Sequence, residues 1–218
     1  MIYEFCAENM TDLQRAYDAG AHRIELCDNL AVGGTTPCYG VLKEGCSWAR
    51  KHDVRVMTML RPRGGNFVYN KVEVEAMMAD MAIAMERGSN GIVMGCLTED
   101  GWLDEWALTR LRKQSDMYRE DFAEECELVF HMAFDEIPVE RQFEAMEWLI
   151  ANRFDRILTR AGGQNSSIEE RLLRYKELIA YADGRITILP GGGITVENRQ
   201  RFADELGVEE LHGTRIVF

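Results

Sequence analysis

Glu4-Phe5-Cys6 and Glu25-Leu26-Cys27 each close a short apolar run with an acid, an apolar residue and a thiol. Side chains alternate along a strand, so in each run the acid and the thiol share one face while Phe5 or Leu26 takes the other. If the apolar face packs on helices, the carboxylates and thiols point inward, with the thiols nearer a rim. Two converging thiolates form a soft, low-coordinate donor set suited to Cu(I). The same two residues also suit plain packing, because a free cysteine is commonly a small buried hydrophobe. Zinc would want two further nitrogen or sulfur ligands, for which His131 and His212 are the candidates.

Arg61-Pro62-Arg63-Gly64-Gly65-Asn66-Phe67 follows directly on the apolar run Val54 to Leu60. Guanidinium groups match carboxylate or phosphate oxygens, and paired glycines let a ligand approach the backbone closely. Arg61 and Arg63 therefore read as an anion site at a strand's carboxyl end, or as counter-charges for Glu4 and Glu25, whose burial would otherwise be costly. Pro190-Gly191-Gly192-Gly193-Ile194-Thr195 is a second anion candidate, since glycine-rich loops ahead of a helix expose the N–H groups that cradle phosphate. His131, with Asp135 four residues on, offers a general acid or base near neutral pH. Together Glu25, His131 and Asp135 could shuttle protons for a small phosphorylated or carboxylated metabolite held by Arg61, Arg63, Gly191, Gly192 and Gly193.

Such residues need a scaffold that gathers them. Short β-type runs recur at Ile2 to Cys6, Arg23 to Cys27, Val54 to Leu60, Gly91 to Met94, Glu127 to His131, Arg156 to Thr159, Arg185 to Leu189 and Glu209 to His212. Helix-like segments stand between them, with apolar residues three and four apart, as in Val74, Met77, Met78, Met81 and Met85. That spacing assigns these methionines to core packing. Thr11 with Gln14 has capping-box spacing and Thr195 with Asn198 resembles it, while Gly20, Gly88, Gly184 and Gly207 supply stop signals. Regular strand–helix alternation over residues 1–218 predicts one α/β domain, a (β/α)8 TIM barrel of eight parallel strands with seven main helices and no full C-terminal eighth helix. In such a barrel the carboxyl ends of the strands build the site. A wall left bare near the end of the chain would invite a partner subunit, so a homodimer is expected.

Composition narrows the partners. The chain carries 25 Lys and Arg against 37 Asp and Glu, a formal charge of -12, and has no basic stripe, which argues against nucleic acid and anionic membranes. Neither a signal segment nor a run of apolar residues long enough to span a bilayer is present, so a cytoplasmic protein is expected. The cysteines at 6, 27, 38, 46, 96 and 126 lack the close pairing of zinc ribbons or redox dithiols and should stay reduced. No Gly-x-Gly-x-x-Gly fingerprint calls for a nucleotide cofactor.

Five blocks in order, Glu25-Leu26-Cys27, Gly33-Gly34-Thr35-Thr36-Pro37, Arg61-Pro62-Arg63-Gly64-Gly65, His131 with Ala133-Phe134-Asp135, and Pro190-Gly191-Gly192-Gly193-Ile194, resemble the CutC copper homeostasis family over the length of the chain. The resemblance implies a cytoplasmic (β/α)8 barrel, often dimeric, that handles copper and binds Cu(I) through Cys6 and Cys27. Cys38 or His131 would lend support, and Arg61 and Arg63 the positive surroundings that thiolates prefer. A TIM-barrel enzyme acting on a small anionic metabolite is the alternative. The chain departs from the family pattern at Met132, where Arg usually follows the His, at Cys38 and Arg160, where Ser is usual, and at Gly213-Thr214.

Overall fold

The computed structural model describes residues 1–122, 126–163 and 165–218, with side chains left aside for 119–122. Strands and helices alternate as β1 (Ile2–Glu8), α1 (Leu13–Asp18), β2 (Arg23–Cys27), α2 (Tyr39–His52), β3 (Arg55–Met59), α3 (Lys71–Arg87), β4 (Gly91–Met94) and α4 (Glu105–Phe122). The order continues with β5 (Glu127–Phe130), α5 (Gln142–Ala151), β6 (Arg156–Thr159), α6 (Ile168–Ala182), β7 (Thr187–Pro190), α7 (Arg199–Leu206) and β8 (Glu210–Gly213). All eight strands run parallel in the order β7-β6-β5-β4-β3-β2-β1-β8. This is the expected (β/α)8 barrel, nearly closed: hydrogen-bonded ladders join every neighbouring pair except β7 and β8.

Period-2 alternation sorts the strand residues into two cores. Outward-facing Phe5, Ile24, Leu26, Val56, Ile92, Leu128, Phe130, Ile157, Ile188 and Leu211 pack against the helices. Inward-facing Cys6, Cys27, Met57, Met59, Val93, Val129, Leu158 and Leu189 fill the barrel itself. The methionine helix behaves as its spacing predicts, with Val74, Met77, Met81 and Met85 buried on one face of α3. Its start is fixed by a capping box between Asn70 and Glu73, and α6 starts with another between Ser167 and Glu170. The Thr11–Gln14 spacing does not cap: Asp12 precedes α1 without a side-chain bond, because the Thr11 hydroxyl is turned back to Asn9. At the second site Asn198 accepts from the Thr195 N–H and donates to the Gly193 carbonyl, tying the turn ahead of α7 instead of opening the helix.

The wall expected to stand bare is covered by the chain's own last residues. Ile216 and Val217 are buried, and the Phe218 ring lies 5.3 Å from Phe5 with the Arg15 guanidinium 3.8 Å over its face. An exposed barrel wall therefore gives no argument for a partner subunit.

A layer of charge closes the amino-terminal end of the barrel. Arg23 binds Glu4 and reaches Glu210 at 2.7 Å, Arg156 spans Glu210 at 2.6 Å and Glu127 at 2.7 Å, and Arg55 meets Glu127 at 3.2 Å. Because Arg156 comes from β6 and Glu210 from β8, the network bridges the seam that lacks a ladder. Removing one partner from a buried ion pair strands the other, at about 3–5 kcal/mol. Arg23→Met should therefore lower the urea midpoint by an amount equivalent to about 3 kcal/mol or more with the m-value unchanged; a loss under about 1 kcal/mol would show that the network is not needed for closure.

Candidate functional site at the barrel mouth

Register decides which inward residues meet. Glu4 stands beside Arg23 on β2 and His212 on β8, and Cys6 stands beside Glu25. The counter-charges of the two buried acids are therefore Arg23 and His212, not Arg61 and Arg63 as expected, since the two arginines lie beyond the end of β3. His212 Nδ1 lies 2.7 Å from Glu4 Oε1 and Nε2 lies 3.7 Å from Glu25 Oε2. Both sulfurs approach the same carboxyl oxygen: Cys6 Sγ is 3.1 Å and Cys27 Sγ 3.5 Å from Glu25 Oε2. One ligand atom each from Cys6, Glu25 and Cys27 all fall within 4.8 Å of one another, and so do those of Glu4, Glu25 and His212.

Charge in this cluster follows from burial and proximity. Burial opposes ionisation of Glu4, but Arg23 and His212 outweigh it and hold the carboxyl at about 2. Burial, then the charge on Cys6, raises Glu25 well above the usual carboxylate range against the pull of His212. Burial alone would strip the His212 proton; Glu25, Cys6 and Glu4 together keep the imidazolium well above its ordinary range. The two thiols share a hydrogen bond that favours ionisation of Cys6 and disfavours it at Cys27. Ionisation is thus favoured at Cys6 and His212 and disfavoured at Glu25 and Cys27.

Above the thiols opens a cavity of about 210 Å³, lined by Cys6, Glu25 and His212 below and by Leu30, Met59, Phe67, Met132 and Leu158 around it. His131 and Arg61, both buried, also reach it. Arg61 gives its terminal nitrogens to the carbonyls of Val32, Gly34 and Gly65, while its Nε has no partner. His131 lies against Phe67, ring centroids 4.8 Å apart, and its Nδ1 accepts the Ala133 N–H at 3.1 Å. It can lie so close to β4 only because residue 95 is glycine, where a Cβ would fall 2.5 Å from the imidazole. Burial, aided by the Arg61 charge, lowers the His131 pKa to about 3.

Other expected residues are placed elsewhere. Arg63 does not line the cavity; it is bound to Glu73 at 2.5 Å and to the carbonyls of Gly64, Asn66 and Val68. Asp135 is bound to the Thr159 hydroxyl and the Arg160 N–H, outside the cavity. Cys38 is exposed at the start of α2 and does not join Cys6 and Cys27. Gly191 spends its N–H on the Thr159 carbonyl, whereas Gly192 and Gly193, both with positive φ (67° and 84°), line the cavity. His212, expected only as a possible zinc ligand, is instead the cation that faces both buried acids. Its signal was present, because alternation about Leu211 turns it inward at the height of Glu4.

A family model described as the CutC family matches residues 1–217. The chain belongs to the CutC family. It is 54% identical over 217 residues to the family protein CutC of Enterococcus faecalis, covering 100% of both chains. Its identity to the human copper homeostasis protein cutC homolog is 39% over 211 residues, covering 97% of this chain and 72% of the human one. A crystal structure from Streptococcus agalactiae, named as the copper homeostasis protein CutC, superposes with a TM-score of 0.92 at 44% identity and 99% coverage of each chain. A deoxyribose phosphate aldolase from Aeropyrum pernix, at 10% identity and a TM-score of 0.65 over 98% of this chain and 84% of its own, shares the barrel fold alone. Among the described residues no helix is long and apolar enough to cross a membrane.

A histidine kept neutral in the fold makes stability depend on pH. With a folded pKa of about 3 against an unfolded value near 6.5, the His131 contribution is whole above about pH 6.5 and is lost as pH falls toward 3. Between about pH 7 and pH 4 the native protein should lose roughly 3 kcal/mol more unfolding free energy than His131→Gln. Parallel pH profiles of the two proteins in urea would show that His131 is not buried neutral.

Proposed function

We propose that this CutC-family barrel binds Cu(I) in the cytoplasm through Cys6 and Cys27, as part of copper handling. The observation that supports this best is the convergence of the two sulfurs on one side of Glu25, with all ligand atoms within 4.8 Å. The two sulfurs are near enough for one metal ion to bind both. Low-coordinate thiolate sites favour Cu(I). A bis-thiolate Cu(I) unit carries one net negative charge, and His212 is the cation that faces it. The proton displaced as the second thiol ionises leaves for solvent when the ion binds. Cys38 and His131 lie outside the sulfur cluster.

A second reading, that the mouth receives a small anionic metabolite for chemistry on the barrel's carboxyl face, is favoured by a separate observation. Glu25 Oε1, His131 Nε2 and Arg61 Nε are buried without hydrogen-bond partners, and all three residues line the one cavity. Buried polar atoms are ordinarily satisfied, so the cavity is built to receive something polar.

Under anaerobic, reducing conditions the native chain should retain Cu(I) against a competing chelator, one ion per chain, and Cys6→Ser/Cys27→Ser should lose it. Unchanged stoichiometry and affinity in the double variant would refute the thiolate assignment.

A further inference from the structure

Arg61 is a buried cation at the cavity. Its side chain is enclosed, its terminal nitrogens are bound to neutral carbonyls, and among the described residues no carboxylate forms an ion pair with it. A buried charge without a counter-ion is costly. Arg61 and His131 both pack against the Phe67 ring, which lies 4.8 Å from the Arg61 guanidinium carbon and 4.8 Å from the His131 ring centre.

The proton on His131 can be placed by its bonding. Because Nδ1 accepts the Ala133 N–H, it bears no hydrogen, so in the neutral ring the hydrogen sits on Nε2. Nε2–H is therefore a fixed donor, as is Nε–H of Arg61, and both are buried without a partner at the cavity. His131 is held as a donor, which removes it from the proton-shuttling role that its position after β5 suggested.

We infer that His131 Nε2–H and Arg61 Nε–H form the binding subsite for the carboxylate of a small organic monoanion. This rests on the second reading above and narrows its substrate class. One uncompensated positive charge calls for one negative charge. Two unspent side-chain donors match two carboxylate oxygens, whereas a phosphate would bring a larger charge and three acceptor oxygens. The other walls, Leu30, Met59, Phe67, Met132 and Leu158, suit a short apolar body. An apolar cavity of about 150 Å³ accepts a six-carbon ring, so a space of about 210 Å³ takes a molecule of comparable size or a little larger.

The test reads the donor directly. In protein labelled with ¹⁵N at histidine, the His131 resonances should report the Nε2–H tautomer. Titration with acetate, pyruvate and benzoate should shift the Nε2 signal saturably for at least one of them, at constant pH and ionic strength. His131→Phe, which keeps the ring but not the donor, should weaken that ligand roughly tenfold or more, read by calorimetry. If His131→Phe fails to fold, the native titration stands alone as the measurement. Inorganic phosphate moving the signal while no carboxylate does would overturn the ligand class and leave the second reading intact. An Nδ1–H tautomer, or no response to any of these anions, would overturn the subsite; a metal-free melt unmoved by a broad set of anionic metabolites would remove the second reading with it.

Discussion

Everything at the mouth depends on how the barrel disposes of charge in its interior. Six charged side chains, Glu4, Arg23, Arg55, Glu127, Arg156 and Glu210, point inward at the amino-terminal end and neutralise one another across six strands. Such a layer contributes little net stability over an apolar one, since desolvation offsets most of the attraction. Its consequence is positional. With Glu4 anchored by Arg23, its free oxygen fixes His212, and His212 in turn sets the electrostatic surroundings of Glu25 and Cys6 one step higher. A chain that paired Glu4 elsewhere would leave the imidazole unheld and the thiols without a facing cation.

Two kinds of chemistry then occupy opposite walls of one small space. On the β1–β2–β8 side, sulfur and carboxyl groups lie so close together that the charge on each governs the ionisation of the others. On the β3–β5 side, Arg61 and His131 are locked by backbone groups and present donors that cannot rearrange. The first wall is suited to exchanging a proton or a soft ion, the second to holding something still. Apolar residues between them lower the local polarity, and in such surroundings both the attraction and the cost of unpaired groups increase.

The barrel was legible because its period is carried by redundant signals: eight strand runs, the methionine face of α3 and the glycines after α3 and α7 all agree. Inward placement of Glu4, Cys6, Glu25 and Cys27 was legible for the same reason, since alternation alone sets the face. Partnership was not. Which acid meets which base depends on the register between strands far apart in sequence, so Arg61 and Arg63 looked the natural partners of Glu4 and Glu25, whereas Arg23 pairs with Glu4 and His212 faces both acids. The roles of Asp135 and Arg63 failed for a different cause: both sit in loops whose carbonyls, hydroxyls and carboxylates consume them locally. The covering of the wall by Ile216, Val217 and Phe218 was hidden because three apolar residues after a strand have no period to read.

Arg61 separates these categories most sharply. From sequence, Arg61 and Arg63 looked equivalent, two guanidiniums at the end of one strand. Arg63 folds back onto Glu73, which also accepts from the Asn70 N–H in the cap of α3, so its charge is spent on holding the loop to the helix. Arg61 is held as firmly but by uncharged carbonyls, which satisfy its geometry without cancelling its charge. Loop structure alone would be served by Arg63-type pairing. A guanidinium kept buried, rigid and uncompensated beside a cavity has the form of a binding group whose counter-ion comes from outside the chain.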